Sequence, residues 1–168
     1  MKKILISILI LFGLVGCKSN KTIDNFKRDK YNSMISLLNE HLEYKDASEF
    51  FDVSVDITPI EEGYRFYIVI DNAKVAMYDV EAIAIEKDVD YTNTMAANIG
   101  IFEDSDYSLI PNQVNVDGGY VKGLSISGIT VNPNSNYYLL VQWHNKDLSI
   151  TSREFIKLNI STGESYGG

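Results

Sequence analysis

Two periods of apolar residues divide the chain. From Asn25 to about Tyr44, the apolar residues are Phe26, Tyr31, Met34, Ile35, Leu38 and Leu42. After the first gap they recur mostly at steps of three and four, tracing one face of a helix expected over 25–45. Leu37 broadens the stripe, while Lys27, Arg28, Asp29, Glu40 and Glu43 supply a wet side. A lone amphipathic helix cannot hide its stripe, so it must dock on the body of the protein or on a partner. From Glu49 the period falls to two: Phe51, Val53, Val55 and Ile57 alternate with Asp52, Ser54 and Asp56, the signature of a half-buried strand.

The same alternation continues to Ile160. Pro59 to Gly63 turns the chain into Tyr64–Asp71, and a third strand lies within Met77–Glu86, apolar on both faces and therefore central. Asp88–Asn98 is loop-like, Ile99–Phe102 a short strand, and Leu109–Val116 an extended piece bent at Pro111. Asp117-Gly118-Gly119 is a turn, followed by strands in Tyr120–Ser127, Tyr137–Trp143 and Arg153–Ile160. About eight strands with no helices between them predict a mainly β fold: one antiparallel β-sandwich or barrel over 49–160, preceded by the helix. The tail 161–168 is small and polar.

One stretch narrows the fold class. In "GITVNPNSNYYLLVQW", Val131, Pro133 and Tyr137 precede Leu139, Val141 and Trp143 at alternate positions. This resembles the corner between strands E and F of fibronectin type III domains. The resemblance implies an immunoglobulin-like sandwich in which the Tyr137 hydroxyl bonds back to the nearby backbone. It covers about the last third of the sandwich and implies no activity, since this architecture hosts many.

The N-terminus follows another rule. Lys2 and Lys3 precede an almost wholly apolar run, Ile4–Phe12, and then Gly13–Gly16 leads to Cys17, the only cysteine. That is the layout of a secretory signal peptide, with a run well short of the ~20 residues a membrane-spanning helix needs. Leu14-Val15-Gly16-Cys17 resembles the lipobox of bacterial lipoproteins. The resemblance implies cleavage between Gly16 and Cys17, a diacylglycerol on the Cys17 sulfur, and a mature protein held on the extracytoplasmic face of a cell membrane. In a diderm cell the outer membrane is an equal candidate. Two acyl chains anchor stably where one is marginal. Residues 1–16 are then the leader and 17–24 a tether, with Thr22 or Asp24 capping the helix.

With Cys17 consumed, no disulfide or cysteine metal site remains for the folded part. Removing a leader that carries Lys2 and Lys3 lowers the basic residues from 15 to 13 against 23 acidic, so net charge goes from −8 to −10. Such a surface repels nucleic acid and anionic headgroups, leaving the lipid to hold the protein at the membrane.

No catalytic set stands out. His41 falls on the helix and His144 ends a strand, both expected at the surface, and no nucleophile elbow, zinc-binding histidine pair or phosphate loop is present. "DVDYTN", Asp88–Asn93, begins like a calcium loop but lacks the sixth-place glycine and has Ile99 where the bidentate glutamate belongs. It reads as solvated loop charge, with Glu103–Asp106 able to add carboxylates only if the two loops met. Eleven tyrosines and Trp143 raise sugar stacking. Alternation puts Trp143 in the core and leaves Tyr67 and Tyr138 as exposed candidates.

The expectation is therefore a non-enzymatic, cofactor-free and metal-free envelope lipoprotein that binds or assembles with a protein partner. The alternative is an accessory lipoprotein binding carbohydrate or another small ligand. A helix stripe left exposed favours the first, and a docked helix beside an aromatic-lined cleft the second.

Overall fold

The computed structural model describes residues 19–87 and 89–161. The leader 1–16, the cleavage and lipidation site at Gly16 and Cys17, and the tail beyond Ser161 lie outside them. Among the described residues one helix, α1 (Ser19–Glu40), precedes seven strands: β1 (Asp52–Ile60), β2 (Gly63–Asp71), β3 (Tyr78–Glu86), β4 (Ala97–Ile99), β5 (Gly123–Thr130), β6 (Asn134–His144) and β7 (Thr151–Ser161). They form two antiparallel sheets, ordered β1-β2-β5 and β4-β3-β6-β7.

The sheets enclose the main core, as alternation predicts. Val55, Phe66, Ile68, Ile70, Leu124 and Ile126 of the first meet Ala82, Ala84, Leu139, Val141, Ile156 and Leu158 of the second. This is a β-sandwich. Trp143 closes the core at one end, buried and edge-on to Phe51 at 5.9 Å.

A second core lies on the outer face of the four-stranded sheet, where Tyr31, Met34 and Leu38 of α1 cover Ile83 and Ile85 of β3 and Leu140 of β6. With sandwich core on one side and helix on the other, β3 is buried from Val80 to Ile85. A strand covered on both faces becomes apolar throughout.

The helix differs from expectation in extent and facing. It begins at Ser19, within the expected tether, and runs through the proposed caps. It ends at Glu40 rather than Lys45, because the chain folds back there and the Tyr44 hydroxyl donates to the Leu38 carbonyl, an end-of-helix acceptor. Phe26 and Leu42, assigned to the stripe, are 65% and 92% exposed. Phe26 comes one turn too early to reach the sheet, and Leu42 lies past the helix end. Lys27, assigned to the wet side, reaches across to the carbonyls of Phe102 and Glu103 at 2.9 and 3.0 Å and to Asp104 at 2.8 Å.

Two loops also depart from the alternation. Leu109–Val116 is not a strand. It makes single bridges (Leu109 to Met77, Ile110 to Gln113, Asn115 to Tyr120) and ends in a 3-10 turn, Val116–Gly118. A β-bulge between Tyr78 and Glu81 turns the Val80 N–H outward to the Tyr107 carbonyl at 2.7 Å, tying down this long connection. After α1, Lys45 bridges β7 by donating to the Phe155 carbonyl and accepting from the Lys157 N–H, both at 2.9 Å, which covers part of that sheet edge.

Candidate functional site

A groove of about 940 Å³ opens between the middle of α1 and the connection from β3 to β4. Arg28, Tyr31 and Asn32 form the helical wall. Tyr91 to Met95 forms the opposite wall, and Asn98 of β4 with Phe102 and Glu103 closes the end.

Two tyrosine hydroxyls build it. Tyr31 extends from α1 to accept the Ala96 N–H at 2.7 Å, and its ring lies 5.5 Å from that of Phe102. Tyr91 reaches back from the loop to accept the Glu86 N–H, also at 2.7 Å. Burial, foremost, holds the Tyr91 hydroxyl above its ordinary pKa, so it stays protonated at neutral pH. Asp90 accepts from the Thr92 N–H and hydroxyl, shaping the rim, and these bonds lower its pKa. Lys27 locks the far end through residues 102–104, and its ammonium holds the Asp104 carboxyl below the usual range.

The result is an aromatic floor with amide and hydroxyl groups at the rim. Asn32, Thr92, Asn93 and Thr94 are exposed there, with Arg28 and Glu103 as opposite charges. Such a lining suits neutral hydroxylated ligands, whose faces stack on rings and whose hydroxyls take amide hydrogen bonds.

Beside the groove a polar chain crosses the outer sheet face. Lys30 pairs with Glu81, Glu81 accepts from the Gln142 amide at 3.1 Å, and the Gln142 carbonyl accepts from Arg153 at 2.7 Å. Glu81 and Gln142 are buried, so each leans on its neighbours for solvation.

The residues singled out for chemistry lie apart. His41 is a packing residue, stacked on Phe155 at 3.7 Å and edge-on to Tyr44, rather than a free surface group. His144 ends β6 as expected but is half-buried, with Nδ1 enclosed and without a hydrogen-bond partner among the described residues. Of the calcium candidates, Asp90 is engaged with Thr92 and Asp104 with Lys27. Tyr67 and Tyr138 are half-buried rather than exposed; Tyr138 packs 4.3 Å from Tyr44 and under Lys87.

The Tyr137 hydroxyl donates to the Glu86 carboxylate at 3.2 Å instead of to the backbone. Glu86 also accepts from Ser135 at 2.5 Å and Thr130 at 3.5 Å, making it the hub of that corner. Alternation gave no hint of this carboxylate, since Glu86 reads as an ordinary strand end. Tyr31 and Tyr91 were equally hidden: helix periodicity put Tyr31 in the stripe but not its hydroxyl on Ala96.

No family model matches the chain, and no curated protein or solved structure matches it. Among the described residues, no helix is long and apolar enough to cross a membrane.

Proposed function

We propose that this is an exported lipoprotein, cut between Gly16 and Cys17 and anchored through a diacylglycerol on Cys17. Its sandwich serves as a non-catalytic binding module on the outer side of a cell membrane. The leader and lipobox residues support the placement. A fibronectin type III-like arrangement is supported by the strand order β1-β2-β5 against β4-β3-β6-β7 and by Val131, Pro133 and Tyr137. This corner departs from that family in two ways: Val131 is exposed, and Tyr137 bonds to Glu86.

The observation that carries the binding reading is the docked helix. The docked part of its stripe, Tyr31, Met34 and Leu38, is spent on β3 and β6 rather than left bare to recruit a protein. The groove beside it has an aromatic floor and an amide rim. Weight therefore shifts from the expected protein partner to the alternative, a carbohydrate or similar small hydroxylated ligand held between Tyr91 and α1.

Metabolic labelling with palmitate tests the anchor: the native chain takes up label and sediments with membranes, and Cys17→Ser does neither. Full membrane retention of Cys17→Ser overturns it. A glycan array tests the ligand. Signal abolished by Tyr91→Ala supports the groove, and background signal throughout removes it. A second reading, an envelope protein joining the free edge of β1, rests on that nine-residue edge, guarded by Pro59 near its end and by the charges of Asp52 and Asp56. Crosslinks from Asp56 to another protein would favour it.

A further inference from the structure

The helix that carries the anchor fixes which end of the sandwich meets the bilayer. Register pairs Asp71 with Gly123, Tyr78 with His144, and His144 with Thr151. The β2–β3 loop, the β4–β5 connection and the β6–β7 hairpin therefore share one end. Along α1, Lys27 contacts residues 102–104, Lys30 meets Glu81, and His41 lies over Phe155. Phe155 is in register with Ile83 through Leu140, two residues farther from that end than Glu81, so the helix crosses the outer face obliquely, from the β4 side near that end toward β7 and the other end. Its first eight residues extend about 12 Å beyond Lys27. Only one residue separates Ser19 from Cys17, a reach of about 7 Å even fully extended. A connection this short holds the Lys27 end of the body within reach of the bilayer.

That end presents apolar side chains at the tips of all three connections: Val75, Val114, Val116, Leu148 and Ile150 are between 37% and 71% exposed. The three connections carry Glu103, Asp104, Asp106, Asp117 and Asp147 against Lys74, Lys122 and Lys146, so this end is net acidic and repels anionic headgroups, and the tips must act by burial.

We infer that the loop tips around Val114, Val116, Leu148 and Ile150 rest in the interface of the anchoring bilayer, holding the sandwich upright with the Val131 end facing away. This rests on the anchor proposed above. Seated tips of this kind sink about 5–10 Å, to the boundary of headgroups and acyl chains. They convert a lipid leash into an oriented mount, which keeps the far end and the groove mouth off the membrane.

The test uses the full chain, lipidated in cells and reconstituted in phosphatidylcholine–phosphatidylglycerol vesicles. Acylated Cys17 leaves no native thiol, so a cysteine introduced as Leu148→Cys or Val131→Cys is labelled alone with an environment-sensitive dye. The expected result is a blue shift and loss of emission on adding brominated lipid at 148, with neither at 131. Vesicle-bound protein whose dye at 148 stays in water overturns the orientation and leaves the anchor standing. Protein that does not bind vesicles overturns both. A dye at 148 that is shielded in cells by a crosslinked protein, yet not quenched by lipid, also overturns it and makes this end a protein-docking surface. A Leu148→Asp and Ile150→Asp double variant supplies a second reading. It should stay folded and anchored while a dye at 131 becomes quenchable, because the body now lies over.

Discussion

The ring of Phe66 lies directly against Gly128, its cross-strand partner on β5. A Cβ at 128 would fall 2.6 Å from ring Cε1 and closer still to Cζ. The missing side chain makes room for an aromatic that also packs 4.6 Å from Tyr137 in the other sheet. Gly128→Ala overpacks this contact and should cost about 1–3 kcal/mol. Phe66→Ala empties the space and should cost about 3–5 kcal/mol. The two together should cost less than their sum, because the cavity accepts the added methyl. Urea unfolding of the three variants measures this, and additive losses would show the contact to be slack.

The Glu86 hub predicts an order of effects. Tyr137, Ser135 and Thr130 are all buried, and each directs its hydroxyl at this one carboxylate. Tyr137→Phe removes one donor and leaves the others served, a loss of about 1 kcal/mol. Glu86→Ala strips the acceptor from Tyr137 and leaves Ser135 and Thr130 to share the Asn132 carbonyl at 3.2 and 3.3 Å, so it should cost about 2–3 kcal/mol, more than Tyr137→Phe. Equal losses on thermal melting would show that the Asn132 carbonyl serves both hydroxyls in full.

Titration separates the two ends of the pH scale. Hydrogen bonds from Asn72 and Lys74 hold Asp52 below the ordinary 3.8, and Lys27 does the same for Asp104. A depressed carboxyl adds stability above its unfolded value, and that stability is lost as pH falls from about 4 through the folded value. Tyr137 shifts the other way, raised above 10.0 mainly by burial and next by the Glu86 charge. Its contribution is complete below pH 10 and declines as pH rises past it. Urea midpoints should therefore fall at both extremes. Asp52→Asn should flatten the acid limb alone, and Tyr137→Phe the alkaline limb alone.

These relationships mark how far the sequence could be read. Period two located β1, β2, β5, β6 and β7, because a strand with one wet face must alternate. β3 was identified as central because double burial leaves it almost wholly apolar, with Glu81 the buried exception. Period 3.6 found α1 and its docking residues Tyr31, Met34 and Leu38, but it extended the stripe to Phe26 and Leu42. Periodicity records which face a residue occupies and not where the supporting sheet stops. The groove was illegible for a related reason. Its walls come from residues 28–32, 91–95 and 98–103, and what joins them is two tyrosine hydroxyls and one lysine. Such long-range polar contacts leave no period in the chain. Leu109–Val116 alternates as a strand would, yet it is held by the bulge at Val80, which pattern alone does not reveal.

The last prediction turns on a charge buried at the rim of the sandwich. Glu154 is 5% exposed; its Oε1 accepts from Lys45 at 2.9 Å, while Oε2 finds no partner among the described residues. The bond to Glu154, together with that charge, raises the pKa of Lys45. A buried pair of this kind is poor support, since desolvation consumes much of the attraction, but removing one partner alone strands the other. Lys45→Met should therefore destabilise the protein at neutral pH, by less than a fully buried pair would lose because the lysine is itself half in water. Glu154→Leu, which removes the buried charge and leaves the ammonium in solvent, should be neutral or stabilising, and adding Lys45→Met to it should change little. Chemical denaturation at neutral pH distinguishes these cases. If Glu154→Leu proves the more damaging substitution, the pair is a genuine clasp between the post-helix segment and β7, and the backbone bridge at Lys45 depends on it.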